Sequence, residues 1–401
     1  MPIWVLALGT TLGMQTVASF LDQSLPIVAP LLLSGAGVAP ERIGNIASLN
    51  ALGTVIFLLF GGPILARLGP VRMLQVGALG AACGLAVAAF GWWPLLAVAA
   101  TVMGMGYGPS PLAGSRILAA TAPPRHRTLI FSVKQAGAPL GGAFAGLILA
   151  PVAAAFGWSW ALILAIGIAV AAALLLEPAR TRLDIEREPN RPISPRALFH
   201  PGTVVAPFRL LRATPVLLWA TGLAISFAVV QGSLFSFSVT YLVTDRHMTL
   251  PAAGFAYAAM QFAGVFARIF LGWLADRTGR PARNLAIQAL LGSAALVAYG
   301  FLPDGVSTAL AALVASVAGF LCASWNGIFM AEIARLAPPE RIVEATSGSV
   351  LITFLGYLCG PSIFSGLVTL SGGYRIAFGA IAVQLAAMAM VQMVVLARRK
   401  T

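Results

Sequence analysis

Long apolar runs alternate with short polar punctuation along the whole chain. Runs nearly free of Asp, Glu, Lys and Arg cover roughly residues 5–33, 43–65, 72–92, 95–120, 128–155, 158–177, 214–243, 251–273, 285–302, 306–335, 343–370 and 374–397. Each approaches or exceeds the roughly 20 residues with which an α-helix crosses the hydrocarbon core of a bilayer. Strands of a membrane barrel would instead show about 10 residues of alternating character. No water reaches the bilayer core, and a helix satisfies its own backbone N–H and C=O groups there. The pattern therefore predicts an all-α membrane protein of twelve transmembrane helices. Most connections are very short and marked by Gly or Pro. The exception runs from Glu177 to Arg212 and holds Arg180, Arg182, Arg187, Arg191, Arg196, Arg209 and Arg212 with Asp184, Glu186 and Glu188 among them. It reads as a solvated linker at 178–212, with a surface-lying segment near Ile193–Phe208, between an N-terminal six-helix bundle at 1–177 and a C-terminal one at 213–401.

Composition agrees and removes other classes. Of 401 residues, 59% are hydrophobic and 9% charged, against roughly 25% charged in soluble proteins. The mean hydropathy is +0.92. The net charge of +13 would point to nucleic acid in a soluble protein, but the placement of the cations excludes that partner. With a cytoplasmic N-terminus, the inner loops hold Arg67, Arg72, Arg125, Arg127, the seven linker arginines, Arg277, Arg280, Arg283, Arg335, Arg341, Arg398, Arg399 and Lys400, which is 19 of the 25 basic residues. The outer loops hold Arg42, Arg246 and Arg375. This imbalance predicts both termini on the cytoplasmic side. The first run follows Met1 without a basic region or cleavage site and is read as a retained helix. No N-x-S/T acceptor occurs, which fits a bacterial inner (plasma) membrane.

The two halves repeat. Gly44, Gly62, Arg67 and Gly69 recur 210 residues later as Gly254, Gly272, Arg277 and Gly279, and Ala122-Pro123-Pro124 recurs 215 residues later as Ala337-Pro338-Pro339. Six helices per half is an even number, so both halves enter from the same side. Two bundles related by a pseudo-two-fold axis along the membrane normal follow, as in rocker-type transporters with a midplane site.

One loop carries a specific signature. Gly272-Trp273-Leu274-Ala275-Asp276-Arg277-Thr278-Gly279-Arg280 resembles the loop motif of the major facilitator superfamily, and the resemblance extends over the whole chain. It implies the twelve-helix facilitator fold, secondary transport by alternating access, and a gating role for this loop. Asp276 there would cap a neighbouring helix N-terminus and pair with an arginine. The first-half loop, Gly62-Pro63-Ile64-Leu65-Ala66-Arg67-Leu68-Gly69, has Ala66 in place of the acid. The fifth span, with Gly137, Ala138, Pro139, Gly141 and Gly142, resembles imperfectly the fifth-helix motif of facilitator exporters, and the eleventh carries Gly356-x-x-x-Gly360-Pro361. Close helix packing explains these glycines as well as a directional role does.

Ionisable residues within spans are functional candidates. Four stand out: Asp22, Arg116, Lys134 and Arg268. The three cations fall roughly 8–12 Å inside the same end of the membrane at 1.5 Å per residue. Surplus buried positive charge favours an anionic substrate. Arg268 lies four residues before Gly272, a place where monocarboxylate transporters and the oxalate–formate exchanger are similar in carrying a carboxylate-binding arginine. Bracing the Asp276 loop is its alternative role. Lys134 is read as functional beside Gln135, and Arg116 as snorkelling to the interface. Asp22 resembles the first-helix acid of many facilitators and is the candidate proton carrier, or else a partner of Lys134 or Arg116. Glu332 and Arg335 read as an intrahelical surface pair. Gln15, Tyr107, Gln231, Gln261, Trp325 and Asn326 are placed to line a cavity.

Cys83, Cys322 and Cys359 lie within apolar runs and His126, His200 and His247 in loops, so neither a metal-ligand spacing nor a nucleophile–base pair is present and no cofactor is expected. The resulting expectation is a secondary transporter, working as a monomer, for a small organic anion such as a carboxylate, with protons or a counter-anion as the coupled species. A drug–proton exporter resting on Asp22, and a non-transporting sensor or assembly factor on the same scaffold, are the rival readings.

Overall fold

The structure, a computed structural model, describes residues 2–123, 126–184, 187–190, 215–337 and 342–398. The predicted segment near 193–208, the arginines at 125, 191, 196, 209, 212, 341 and 399, Lys400, and the second Pro-Pro at 338–339 lie outside those residues.

Among the described residues the chain is helical throughout, without strands. The helices are α1 (Ile3–Asp22), α2 (Ser24–Gly35), α3 (Ile43–Phe60), α4 (Gly62–Leu68), α5 (Pro70–Ala88), α6 (Trp93–Tyr107), α7 (Pro109–Thr121), α8 (Arg127–Gln135), α9 (Gly137–Phe156), α10 (Trp158–Leu175), α11 (Glu177–Leu183), α12 (Pro215–Thr244), α13 (Leu250–Thr278), α14 (Pro281–Gly300), α15 (Thr308–Cys322), α16 (Asn326–Leu336), α17 (Ile342–Ser371) and α18 (Tyr374–Arg398). Eleven helical stretches among the described residues are long and apolar enough to cross a membrane. The twelfth is α14, which has crossing length at 20 residues; Arg283, Asn284, Gln288 and Ser293 lower its hydropathy. This is an all-α membrane fold.

Proline and glycine punctuate the helices as their backbone restrictions require. Pro70, Pro94, Pro109, Pro251 and Pro281 occupy first turns, where the missing N–H has no intrahelical acceptor to lose. Gly69 (φ 92°) and Gly279 (φ 61°) end α4 and α13 with positive φ, which any Cβ would strain.

Among the described residues, several predicted spans are broken along their length: the first at Gln23, the second at Gly61, the fourth at Gly108, the fifth at Ala136 and the tenth over Ala323–Trp325. Apolar runs continue through these breaks, so hydropathy did not mark them.

The chain forms two compact units, residues 1–39 with 49–200, and residues 40–48 with 201–401. Inclusion of 40–48 in the second unit was not indicated by the repeat. There Gly44 meets the Pro361 carbonyl so closely that a Cβ would lie 2.2 Å from its oxygen, and the Ser362 hydroxyl bonds to Ser48 at 2.8 Å. Each unit is held by glycine crossings. In the first, a Cβ on Gly104 would lie 1.8 Å from the Asn50 carbonyl oxygen, and one on Gly53 would lie 2.0 Å from that of Thr101. In the second, Gly319 lies against the Met260 backbone and Gly356 and Gly360 against Ile225 and Val229. The glycines of the fifth span serve the same purpose, with Gly137 against Gln15 and Gly141 against the Thr16 carbonyl. Backbone contact of this kind replaces the hydrophobic drive that lipid removes.

Candidate functional site

In the first unit the polar groups converge on the break between α6 and α7. Lys134, in the last turn of α8, is only 1% exposed. Its stem lies over Gly114, where a Cβ would come within 2.8 Å of Lys134 Cε and 3.3 Å of Nζ. Glycine at 114 is therefore what makes room for the ammonium. No carboxylate among the described residues forms an ion pair with it. Thr11 borders the same spot, and its hydroxyl donates to the Ala7 carbonyl at 2.8 Å. One turn further along α1, Gln15 accepts from the Ser110 hydroxyl at 3.0 Å and donates to the Tyr107 hydroxyl at 3.4 Å. Thr11 with Gln15, and Gly114 with Ser110, are each one turn apart on their helices, so ammonium and amide occupy successive turns of one crevice.

Asp22 ends α1 and accepts from Gln23 Nε2 at 2.8 Å. It shares a small cavity of about 10 Å³ with Tyr107 and Ser110, near the limit for one water. Neither Lys134 nor Arg116 is its partner. Arg116 Nη2 instead lies 3.9 Å from Glu188, in the segment after α11. Gln135 is exposed.

In the second unit the polar groups gather at the break between α15 and α16. Gln231 on α12 accepts from Trp325 Nε1 and from the Tyr357 hydroxyl, both at 2.9 Å. Trp325 is 1% exposed and stacks on Phe227 with centroids 5.6 Å apart. Arg268, half-buried on α13, donates to the Ala323 carbonyl at 3.3 Å. Gln288 of α14 donates to Leu321 O at 2.8 Å and lies 3.3 Å from the Ser324 hydroxyl. These side chains satisfy the carbonyls that the break releases, the condition under which irregular backbone persists at membrane depth. Arg268 thus braces the break between α15 and α16, whereas the sequence offers the Asp276 loop as the braced element. Asn326 opens α16 and is half-buried.

Two expectations need correction. Gln261 is 1% exposed and donates to Tyr257, one turn back on its own helix, at 2.7 Å; it does not line open space. Glu332 is 1% exposed, so its pair with Arg335 is not a surface pair. Both carboxylate oxygens accept from Arg335, at 2.6 and 2.7 Å, and only Arg335 reaches the outside, with its side chain 62% exposed.

The two loops of the motif differ. The Asp276 side chain is exposed and makes no hydrogen bond or ion pair among the described residues, so the predicted cap is not formed there. α14 begins after Arg280 without a side-chain cap. Arg277 lies over the Trp273 ring at 5.2 Å, and Gly272 is half-buried at the base of the loop. In the first-half loop, Gly62 and Arg67 are exposed, and the acid missing at Ala66 is supplied from far along the chain. Asp184 accepts from the backbone N–H of Val71 at 2.6 Å and of Arg72 at 3.1 Å. It thereby caps α5, and Gly69 leaves it room, since a Cβ there would lie 2.6 Å from its carboxyl carbon. Burial pushes the Asp184 carboxyl up from its ordinary value, against the pull of those two N–H groups, Arg180 and Arg187. Glu188 N–H donates to the Ala66 carbonyl at 2.8 Å, and Glu177 accepts from Gln75 at 2.8 Å and pairs with Arg72 at 3.3 Å. Sequence reasoning had placed these acids in a solvated linker. Their one signal was acidity within an otherwise basic stretch.

A sequence-family model described as Major Facilitator Superfamily matches residues 11–347. The chain belongs to this superfamily. It is accordingly a multi-pass membrane transporter and not an enzyme. Among characterised superfamily members, the hexuronate transporter of Bacillus subtilis (strain 168) is 32% identical over 145 residues, covering 35% of this chain and 34% of that protein. The 4-hydroxybenzoate transporter PcaK of Pseudomonas putida is 26% identical over 90% of this chain and 84% of its own. The gallate transporter of Pseudomonas putida is 24% identical, with 88% and 82% covered. A crystal structure of the peptide transporter POT with sulfate superposes with a TM-score of 0.77 at 15% identity, over 99% of this chain and 95% of that one. At that identity it speaks for the superfamily fold alone.

Proposed function

We propose that this superfamily member moves a small organic anion bearing a carboxylate across the membrane by alternating access, coupled to protons or to a counter-anion. The observation that carries this reading is Lys134, an almost fully buried ammonium with no carboxylate partner among the described residues. A buried charge without a counter-ion is unfavourable by several kcal/mol, and an anionic ligand is the group that relieves it. Gln15, Tyr107 and Ser110 extend the same crevice with hydrogen-bonding groups suited to the remainder of the ligand. Arg268 contributes a second cation near the break between α15 and α16. Asp22 is the proton carrier in this scheme, bordering the cavity that holds Tyr107 and Ser110. The loop Gly272–Arg280 and its first-half counterpart, with Gly62, Arg67 and Gly69, serve as gates. Relatives named for hexuronate, 4-hydroxybenzoate and gallate, all carboxylates, support the substrate class. The excess of arginine in alternate loops supports an inner-membrane orientation with both termini cytoplasmic, and a single chain suffices as the transporting unit.

The test is a thermal-shift screen of the purified protein against mono- and dicarboxylates, inorganic anions and lipophilic cations. A ligand of the folded state raises its melting temperature by mass action. Stabilisation by a carboxylate that disappears in Lys134→Met is expected. Stabilisation by lipophilic cations alone would overturn the anion reading in favour of an exporter.

A further inference from the structure

Gln15 and Gln231 stand 216 residues apart, as do Gly108 and Ser324 in the two broken helices. In each unit a glutamine of the first helix therefore holds the break of the fourth. The two glutamines are used differently. Gln15 employs both ends of its amide, the oxygen on Ser110 and the nitrogen on Tyr107. Gln231 employs one. Its oxygen accepts from Trp325 and Tyr357, while its nitrogen makes no hydrogen bond among the described residues and is not wholly enclosed.

An amide's oxygen and nitrogen are usually assigned from their surroundings. Here the assignment is forced, because an indole N–H only donates, so the atom 2.9 Å from Trp325 Nε1 must be the carbonyl oxygen. The Tyr357 hydroxyl fills the second lone pair of that oxygen. The amide cannot turn over without losing the indole's bond, since an indole N–H cannot accept. Gln231 is 6% exposed, so neither bond is readily replaced by water. The bonded indole belongs to the residue that precedes α16, and Trp325 O accepts from Phe329 N–H at 3.0 Å. The locked amide is thus tied, through the indole, to the N-cap residue of an 11-residue helix.

We propose that Trp325 and Tyr357 are positioning residues that lock the Gln231 amide so that its two N–H donors serve the ligand, making an anion-accepting subsite in the second unit. This deepens, and rests on, the proposed transport of a carboxylate. The subsite adds selectivity that a cation alone does not provide. A fixed NH2 accepts a carboxylate and refuses the donor side of a carboxamide, whereas a free amide would turn over and accept either.

The experiment is uptake into proteoliposomes of benzoate, 4-hydroxybenzoate, gallate and glucuronate, each set against competition by its own carboxamide, in wild type, Trp325→Phe, Tyr357→Phe and Gln231→Glu. Phenylalanine at 325 keeps the stack on Phe227 and removes only the N–H. The expected result in Trp325→Phe is a KM for the acid raised about tenfold, the effect of one hydrogen bond to a charged group, with kcat within about twofold. The preference for acid over carboxamide should narrow by a similar factor, Tyr357→Phe should act in the same direction, and Gln231→Glu should lose uptake. A role confined to packing would lower uptake and melting temperature without moving the acid-to-amide ratio, and that result overturns the lock. Wild-type uptake of an acid with an unchanged ratio in Trp325→Phe also overturns it while leaving anion transport standing. Wild-type uptake of none of the four acids overturns both.

Discussion

Replacing Lys134 by methionine should push stability and transport in opposite directions. The ammonium is 1% exposed and has no carboxylate partner among the described residues, so the folded protein bears its desolvation, which is several kcal/mol for an isolated ion in a protein interior. Methionine has nearly the same reach and keeps the stem against Gly114, where the Lys134 Cε lies 2.8 Å from the place a Cβ would take. Little packing is lost while the charge is removed. The ligand-free protein should gain about 1–4 kcal/mol, the range found when buried charges give way to apolar groups of similar volume. Melting followed by tryptophan fluorescence in detergent should therefore rise by several degrees, while carboxylate uptake falls to background and carboxylates no longer shift the melting point. Such a trade between stability and activity is what a charge retained for function produces. A lower melting temperature together with retained uptake would refute the reasoning, because it would make Lys134 a structural cation with a partner in the folded state.

Other perturbations follow from the same geometry. Gly104→Ala places a Cβ 1.8 Å from the Asn50 carbonyl oxygen and should cost about 1–3 kcal/mol or more by forcing α6 away from α3; Gly80→Ala, with nothing within 4 Å, should leave the melting temperature unchanged. Arg335→Ala strands the Glu332 carboxylate and should destabilise by about 1–3 kcal/mol, discounted for the water that reaches Arg335; adding Glu332→Gln should restore most of that in a double-mutant cycle. The Asp184 carboxyl is raised in the folded protein, first by burial, so the folded state binds a proton more tightly than the unfolded one. Stability should then increase as pH falls from the raised value toward the ordinary 3.8 and lose that increment as pH rises back through the window. Asp184→Asn should abolish this portion of the pH dependence of melting.

The helices were legible because lipid imposes a single solution on long apolar runs, and even α14 was found at 285–302 despite Arg283, Asn284 and Gln288. The breaks were not. Gly108 and Ala323–Trp325 sit inside apolar runs, and the groups that make them tolerable, Gln288 and Arg268, come from other helices. Burial of Lys134 could be inferred from its depth along the span, but not Gly114 beneath it. Gln261 and Gln231 looked alike as polar residues in apolar helices. Only packing separates one bonded to Tyr257 on its own helix from one pinned by Trp325 and Tyr357. Glu332 was expected at the surface because it sits near the end of a span, yet three residues of helix turned it inward and left Arg335 outside. The motif loop was recognisable residue by residue, and the vacancy at Ala66 was visible. Nothing local announced that Asp184, four predicted spans further along the sequence, would fill it.

That last arrangement bears on how the first unit is made. Helix α5 emerges from the ribosome long before Asp184 does, and until then the N–H groups of Val71 and Arg72 lack the carboxylate that caps them. Completion of this end of the unit therefore waits for the chain to pass residue 184, although all six of its spans have already been synthesised by Leu175. The biological end of the first half lies beyond its last span. An N-terminal fragment stopped at Glu177 is an unfinished product, whereas one carried to Asn190 contains Asp184 and Glu188 and holds its own closure.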